Sequence, residues 1–411
     1  MGKGTARADE PLLVVRDPES IEGTVVLHRG RERRILPGHL WVYEGEVAEV
    51  RGNPAPGAIV DVLTSRGAFC ARGFYNPHSR IRVRILTFEE EPIGPAFFAR
   101  RIAQALALRE RVVRETTAYR VVYAEGDLLP GLIVDRYGDL LVMQTLAFGM
   151  DARKELLADL LLERTGARAV YLRNDPGVRS LEGLPRHQGF LRGETSTRVE
   201  IVEGPARFLV DVAEGQKTGW FCDQRENRLS CAPLARDAEV LEVFSYTGAF
   251  GIHAALHGAR SVLGMDVSEE AVALARENAR LNGVLGRCRY EVADAFEALR
   301  TLEQHGARFD LVILDPSAFA RRKEAVPRAL AGYKEINLRA LKLLRPGGYL
   351  VSCSCSSFVD EGMLWGVILE AARDAGRRLR LLELRGQARD HPMLGAMPET
   401  RYLKCFVLQT V

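Results

Sequence analysis

The sequence predicts a multidomain α/β protein. A β-rich module comes first, a small α+β domain follows, and the chain ends in an open, mostly parallel sheet covered by helices. Three observations predict it. Short β-type runs separated by turn signals fill the stretch from Val25 to about Ile85. Helical and strand-like patterns mix between Pro95 and about residue 190. From about Thr197 the strand–helix alternation becomes regular, with apolar strands near 240, 262, 311 and 350 and helices near 249–257, 269–282 and 333–344. The domains are expected at 12–88, 89–192 and 193–411, after a flexible tail of about eleven residues.

In the first module the β runs are Val25-Val26-Leu27, Ala58 to Leu63 and Arg80 to Leu86, with Asn53-Pro54 and Pro56-Gly57 as turns between them. The last run alternates arginine with aliphatic residues. Arg80, Arg82 and Arg84 therefore project from one face and are expected to form a phosphate-facing stripe. Trp41 reads as core or as an exposed docking residue. In the middle domain, Pro95 to Thr116 reads as a helix. Strands at Val121–Tyr123, Leu132–Asp135 and Leu140–Gln144 precede an amphipathic helix, Asp151–Arg164, and a strand, Ala169–Leu172.

Composition sets limits. Of 411 residues, 47% are hydrophobic and 27% charged, so a large core forms without disulfides or metals. A net charge of +3 does not by itself argue for a nucleic-acid partner. The local clusters Arg29/Arg31/Arg33/Arg34 and Arg321/Arg322/Lys323 are more telling, although each also reads as a solvated face. The seven cysteines have no zinc spacing, and free thiols fit a reducing compartment. The charged first twenty residues carry no secretory signal, and no apolar stretch approaches a membrane span. A cytoplasmic location is expected.

The chemistry gathers at strand ends. Glu239–Val243 reads as the first parallel strand and runs into Phe244-Ser245-Tyr246-Thr247-Gly248, a loop opening a helix whose free N–H groups suit a ligand carboxylate. The spacing is not the Gly-x-Gly-x-x-Gly fingerprint. The next strand ends in Asp266, placed to accept from ribose hydroxyls, and Ser268 is the expected N-cap of the following helix. Asp294 at the third strand end can accept from an adenine amino group, and Asp315-Pro316-Ser317 closes the fourth. Farther on, Ser352-Cys353-Ser354-Cys355-Ser356 ends another apolar strand. An acid and a thiol at strand ends suggest a cofactor-dependent transferase with a covalent step; the alternative is two small core cysteines.

These ordered motifs, Glu242 to Gly248, Asp266, Asp294-Ala295-Phe296 and Asp315-Pro316, resemble those of class I S-adenosylmethionine-dependent methyltransferases. More narrowly, the chain resembles the large-subunit ribosomal RNA cytosine-5 methyltransferases of bacteria and archaea. The likeness runs through Gly38–Tyr43, Leu129–Tyr137, Gly215–Gly219, Asp223-Gln224-Arg225, Gly332–Asn337, Ser354-Cys355-Ser356 and Asp390-His391-Pro392, nearly the whole chain. It implies an N-terminal PUA domain, a central α+β domain and a Rossmann-like methyltransferase domain.

The resemblance makes Cys355 the nucleophile at carbon 6 of cytosine and Asp315 the acid that supports ring nitrogen 3. Cys353, one strand step deeper, reads as packing. S-adenosylmethionine would meet Phe244, Ser245, Tyr246, Thr247, Gly248, Asp266, Val267, Asp294, Ala295 and Asp315. Lys217 and Thr218 would come from a lid, with Lys217 facing cofactor carboxylate or RNA phosphate. Arg225 reads as a partner of Asp223 or Glu226, and His391 as a turn residue or an auxiliary catalyst.

Two departures stand out. The family's Asp-Pro-Pro is Asp315-Pro316-Ser317 here, and Ala318 stands where other RNA cytosine-5 methyltransferases carry a product-releasing cysteine. The implied partner is 23S ribosomal RNA or a large-subunit assembly intermediate; a homodimer is compatible with the sequence. The rival readings are methylation of another base atom or RNA, and a non-catalytic RNA-binding scaffold.

Overall fold

The computed structural model describes residues 20–411; the expected tail and the start of the first domain at residue 12 lie outside the described residues. Six strands build the first sheet: β1 (Ile21–Leu27), β2 (Trp41–Tyr43), β3 (Val47–Gly52), β4 (Ile59–Leu63), β5 (Phe69–Tyr75) and β6 (Ile81–Thr87), in the order β2-β6-β5-β4-β1-β3. Helix Pro95–Val112 leads into a second sheet of β7 (Ala118–Tyr123), β8 (Leu132–Tyr137), β9 (Leu140–Thr145), β10 (Ala169–Asn174) and β11 (His187–Arg192). Its order is β11-β10-β9-β8-β7, and only β9 and β10 run parallel. The first two sheets share a core in which Ile59, Phe74 and Leu86 pack with Phe97, Phe98 and Ile102.

A hairpin, β12 (Arg198–Glu203) and β13 (Ala206–Asp211), precedes the third sheet. That sheet holds β14 (Glu239–Val243), β15 (Ser261–Asp266), β16 (Cys288–Val292), β17 (Phe309–Leu314), β18 (Leu344–Ser354), β19 (Leu379–Arg385) and β20 (Lys404–Thr410). The order is β16-β15-β14-β17-β18-β20-β19, with β14 to β18 parallel and β20 antiparallel to both neighbours.

The two-residue period of the strands sorts this core into two layers. Val240, Leu311, Ile313, Val351 and Val407 face helices Ala249–Leu256 and Glu269–Leu281. Leu241, Val312, Leu314, Leu350 and Phe406 face helices Ala295–Gln304, Val326–Leu343 and Glu361–Asp374. Because both faces are covered, the strands read as continuous apolar runs. The strand order reverses between β14 and β17, and a ligand belongs in the crevice outside their carboxyl ends.

The expected arginine stripe is corrected by this packing. Arg84 is buried, where it bonds Glu182 at 2.9 Å and Glu125 at 3.3 Å, and Arg82 turns back onto Pro77 and Glu44; of the three only Arg80 is exposed. The face that carries them meets the middle sheet, and burying a guanidinium there requires carboxylate partners. Trp41 belongs to the same seam, its indole N–H donating to Glu125 at 2.8 Å. Arg34 is likewise engaged with Glu46 at 2.6 Å. Arg29, Arg31 and Arg33 are exposed. Among the described residues no helix is long and apolar enough to cross a membrane.

Arg109, 2% exposed, forks onto Asp127 at 2.5 and 2.7 Å and donates to the Asp390 carbonyl at 2.7 Å, tying the middle sheet to the C-terminal segment. Asp127→Ala strands that guanidinium. It is expected to cost about 3–5 kcal/mol, read as a lower urea midpoint than for the parent protein.

Candidate active site

The loop after β14 adopts glycine-like backbone geometry without the glycines. Phe244, Tyr246 and Gly248 have φ of 65°, 47° and 81°, so every second residue lies in the left-handed region. Each such non-glycine residue costs about 1–3 kcal/mol and persists only when its surroundings fix it. Here Ser245 N–H bonds the Met265 carbonyl at 2.9 Å, and Tyr246 N–H bonds Asp266 at 2.8 Å. Gly248 has no room for a side chain, since a Cβ would come within 2.6 Å of the Tyr290 hydroxyl. Asp266 also accepts from Ser268 N–H at 3.0 Å. Ser268 caps the next helix through Ala271 N–H, as its sequence position predicts.

The structure revises one detail of this loop. The Phe250 amide at the helix start is not free for a ligand, because Glu242 takes it at 3.0 Å. Burial pushes the Glu242 carboxyl up to about 8, so it is protonated at neutral pH. On the loop itself, the Ser245 and Thr247 hydroxyls are buried without partners. Unpaired buried polar atoms are costly. Two of them along one loop fit a polar ligand seated against it.

That loop lines a cavity of about 920 Å³, which also holds Asp266, Val267, Asp315, Pro316 and Cys355. Asp315 sits at the end of β17 and Cys355 just past the end of the neighbouring β18. The Cys355 thiol points at the Pro316 carbonyl at 3.7 Å. Gln224 donates to Asp315 at 2.7 Å, and its own carbonyl oxygen is fixed by Asn227 at 2.6 Å, so the amide presents its N–H₂ to the carboxylate. Burial, then the nearby Asp223 charge, pushes Asp315 up to about 6. Burial also pushes the Cys355 thiol up to about 11, against the opposing pull of Lys217; Asp315 and Asp223 push it further. Cys353 lies fully buried opposite Cys405, in the core. Ser354 and Ser356 turn to the other side and share the Tyr333 hydroxyl at 2.8 and 3.0 Å.

The segment before the sheet covers the cavity. Lys217 has φ 55°, lies 3.6 Å from Asp223 and stands over the Phe221 ring at 4.5 Å. Burial raises the Asp223 carboxyl, but Lys217 and the Tyr402 hydroxyl, which donates to it at 2.5 Å, outweigh burial and hold it below the usual range. The Thr218 hydroxyl donates to Asp135 of the middle sheet at 2.6 Å, so this residue anchors the segment.

Asp294, Ala295 and Gly248 do not line the cavity: Asp294 caps its helix through Phe296 and Glu297 N–H, and Gly248 supports the loop from behind. His391 is buried against Asp390 and Tyr123, a structural turn residue away from the cavity. Arg225 pairs with Asp390 at 2.9 Å, with Glu226 farther off at 3.9 Å. Sequence reasoning missed the roles of Gln224, Tyr402 and Lys404. The lysine had a visible signal, a lone charge at the head of the apolar run Cys405–Leu408.

Residues 186–395 match the family described as S-adenosylmethionine-dependent methyltransferase, and residues 25–88 match the PUA-like domain. The crystal structure of SMU.776 complexed with SAH shares the fold over 94% of this chain and 99% of its own, with TM-score 0.82 at 19% identity. The doubly wound sheet, the strained loop and its unpaired polar atoms thus belong to an S-adenosylmethionine-dependent methyltransferase with a PUA-like domain. Ribosomal RNA large subunit methyltransferase I of Tolumonas auensis is 40% identical over 94% of this chain and 99% of its own. The protein of that name from Aeromonas hydrophila is 39% identical over 95% of this chain and its own full length. The chain belongs to the ribosomal RNA large subunit methyltransferase I family.

Two expectations follow from the site. Asp266→Ala removes the carboxylate that pins the loop, and binding of S-adenosylhomocysteine by calorimetry is expected to weaken about tenfold or more. An acid whose value is raised in the fold contributes stability at low pH that is lost as pH rises toward about 6. Asp315→Asn keeps the Gln224 bond and removes the buried charge. Its melting temperature is therefore expected to exceed the parent's by a few degrees at about pH 8, with the difference vanishing near pH 4.

Proposed function

We propose that the protein methylates carbon 5 of a cytosine in large-subunit (23S) ribosomal RNA through a covalent Cys355 adduct. The observation that carries this reading is the shared cavity: Cys355 and Asp315, from adjacent strand ends, line it together with the loop that fits S-adenosylmethionine. Carbon 5 of cytosine is a weak nucleophile. A thiolate that adds to carbon 6 converts the ring to an enamine, whose carbon 5 can take a methyl group.

When bound, S-adenosylmethionine supplies an electrophilic sulfonium methyl. Ser245, Thr247 and Asp266 would hold it, and the exposed Val267 at the cavity edge offers an apolar face. Asp315, held in place by Gln224, shares a proton with ring nitrogen 3 as the thiolate adds. Loss of the carbon-5 proton then restores the ring double bond and expels the sulfur. Ala318 takes no part in that release.

The target base has to leave its stack to reach the cavity. Arg321, at the cavity wall, and the exposed Arg322 and Lys323 beside it suit phosphate contacts, as do Arg29, Arg31 and Arg33 of the PUA-like domain. Ribosomal RNA or a large-subunit assembly intermediate as substrate puts the reaction in the cytoplasm, where the seven free cysteines persist as thiols. A homodimer is supported by the exposed Leu381, Leu382 and Leu384 on edge strand β19. Sedimentation at micromolar concentration is expected to give twice the chain mass, and a monomer mass refutes the dimer.

Cys355→Ala is expected to abolish methyl transfer to ribosomal RNA while leaving cofactor binding intact. RNA carrying 5-fluorocytidine at the target is expected to form a denaturation-stable adduct with the parent protein and none with Cys355→Ala. Because the free thiol is protonated at neutral pH, adduct formation is expected to accelerate between about pH 7 and about pH 9. Full activity in Cys355→Ala refutes the covalent reading.

A further inference from the structure

Lys404 opens β20 yet is only 4% exposed. Its ammonium donates to two main-chain carbonyls, Ser356 at 2.6 Å and Tyr402 at 2.8 Å. Among the described residues no carboxylate forms an ion pair with it. A buried cation without a counter-ion is one of the costlier arrangements a fold can hold, and carbonyl dipoles compensate it only in part. Burial accordingly depresses the lysine to about 8. Such a charge is kept when a negative charge forms beside it.

The position says which charge. In the β18–β20 register Lys404 lies directly across from Ser354, one residue before Cys355, and the carbonyl it holds belongs to Ser356, one residue after. The strand pairing thus holds one side of the turn that presents the thiol, and the ammonium bonds the other. The groups whose charge acts on Cys355 are Lys217, Asp315, Asp223 and Lys404, with the Tyr333 hydroxyl close by. Those acting on Lys404 are Cys355, Asp360 and Arg401. The two acids near Cys355 oppose its ionisation. Of the two cations, Lys217 is half-exposed and committed to Asp223, whereas Lys404 is buried and has no anion of its own.

We propose that Lys404 is a positioning residue for the nucleophile, fixing the Ser354–Ser356 turn through its bond to the Ser356 carbonyl and serving as the buried counter-ion of the Cys355 thiolate. When the S–H bond breaks, the electron pair stays on sulfur and the proton leaves to water. The pair then forms the bond to carbon 6, and it returns to sulfur when that bond breaks on release. At pH 7 Lys404 keeps its proton, and its charge favours the thiolate both before addition and on release. This rests on Cys355 being the nucleophile, but its test does not need RNA.

The test is the rate of Cys355 alkylation by iodoacetamide at pH 7, below the lysine's value of about 8, in the full-length protein, with Cys355→Ala as the background. Lys404→Met removes both the charge and the tether; Lys404→Gln keeps an amide donor for the carbonyls and removes only the charge; Lys404→Arg keeps the charge. Alkylation is expected to be about tenfold slower in Lys404→Met and Lys404→Gln, the effect of losing a nearby opposite charge on the thiolate fraction. It is expected to stay near the parent rate in Lys404→Arg. The melting temperature of Lys404→Gln is expected to match or exceed the parent's, because an uncompensated buried charge is gone while the carbonyls keep a donor. A merely structural lysine predicts a lower melting temperature for Lys404→Gln and an unchanged alkylation rate. Either an unchanged rate in both Lys404→Met and Lys404→Gln or failure of both to fold overturns the proposal. If the rate falls but Cys355→Ala still methylates RNA, the electrostatic coupling stands and the covalent reading falls.

Discussion

The buried pair of Arg225 and Asp390 holds three parts of the chain in register. Arg225 lies in the helix before the third sheet and Asp390 in the loop after β19, and they meet at 2.9 Å with both side chains at or below 3% exposure. The same carboxylate accepts from the Arg120 amide of β7 at 3.0 Å, and the Asp390 carbonyl accepts from Arg109. Replacing such a pair with apolar residues could be neutral for stability, but breaking one half of it is expensive. What it confers is placement. Gln224 and Asp223, adjacent in sequence to Arg225, are thereby delivered to Asp315 and to the Lys217 lid. The acid of β17 is oriented by a residue whose own position depends on the middle domain.

The sheet beneath tolerates an active site that violates ordinary rules of stability. Phe244 and Tyr246 sit in left-handed backbone, two hydroxyls of the cofactor loop lack partners, Asp315 is driven toward its neutral form, and Lys404 is a buried cation without an ion-paired carboxylate. All of them occur at the carboxyl ends of β14, β17 and β18 or beside them, above strands packed on both faces. The rigid layers absorb the strain that the strand ends carry. This is the usual direction of trade between stability and activity, and here it is confined to one end of one sheet.

What the sequence made legible follows from burial. Strands covered on two faces are mostly apolar, so the runs within β14, β17 and β18 stand out, and the acids and thiol at their ends can be ordered before any coordinates. The two-residue period puts Cys353 and Cys355 on one face, and depth along the strand separates them: the former packs against Cys405 inside the core while the latter lies beyond the strand end. Strands with an exposed face were harder to see. β19 alternates arginine with leucines that remain half-exposed, and the hairpin β12–β13 intersperses charges with its core residues. No pattern in β6 distinguishes arginines that meet solvent from arginines that meet Glu125 and Glu182, because the partners lie 41 and 98 residues away in sequence. Gln224 escaped for the same reason: its function is a contact with residue 315.

This also explains why net charge says so little about an RNA-handling protein. The excess of +3 spans 57 basic and 54 acidic residues. Many of the arginines are spent inside the fold: Arg84, Arg109, Arg225 and Arg228 are all buried and all paired with carboxylates. They contribute nothing to the field a phosphate backbone would meet. The exposed cations are local instead, with Arg321, Arg322 and Lys323 beside the cavity and Arg29, Arg31 and Arg33 in the turn and short helix between β1 and β2 of the PUA-like domain. Screening over about 8–10 Å makes such neighbourhoods matter more than the total. A chain near neutrality can thus present two basic surfaces, because its acids are used to neutralise the arginines it buries.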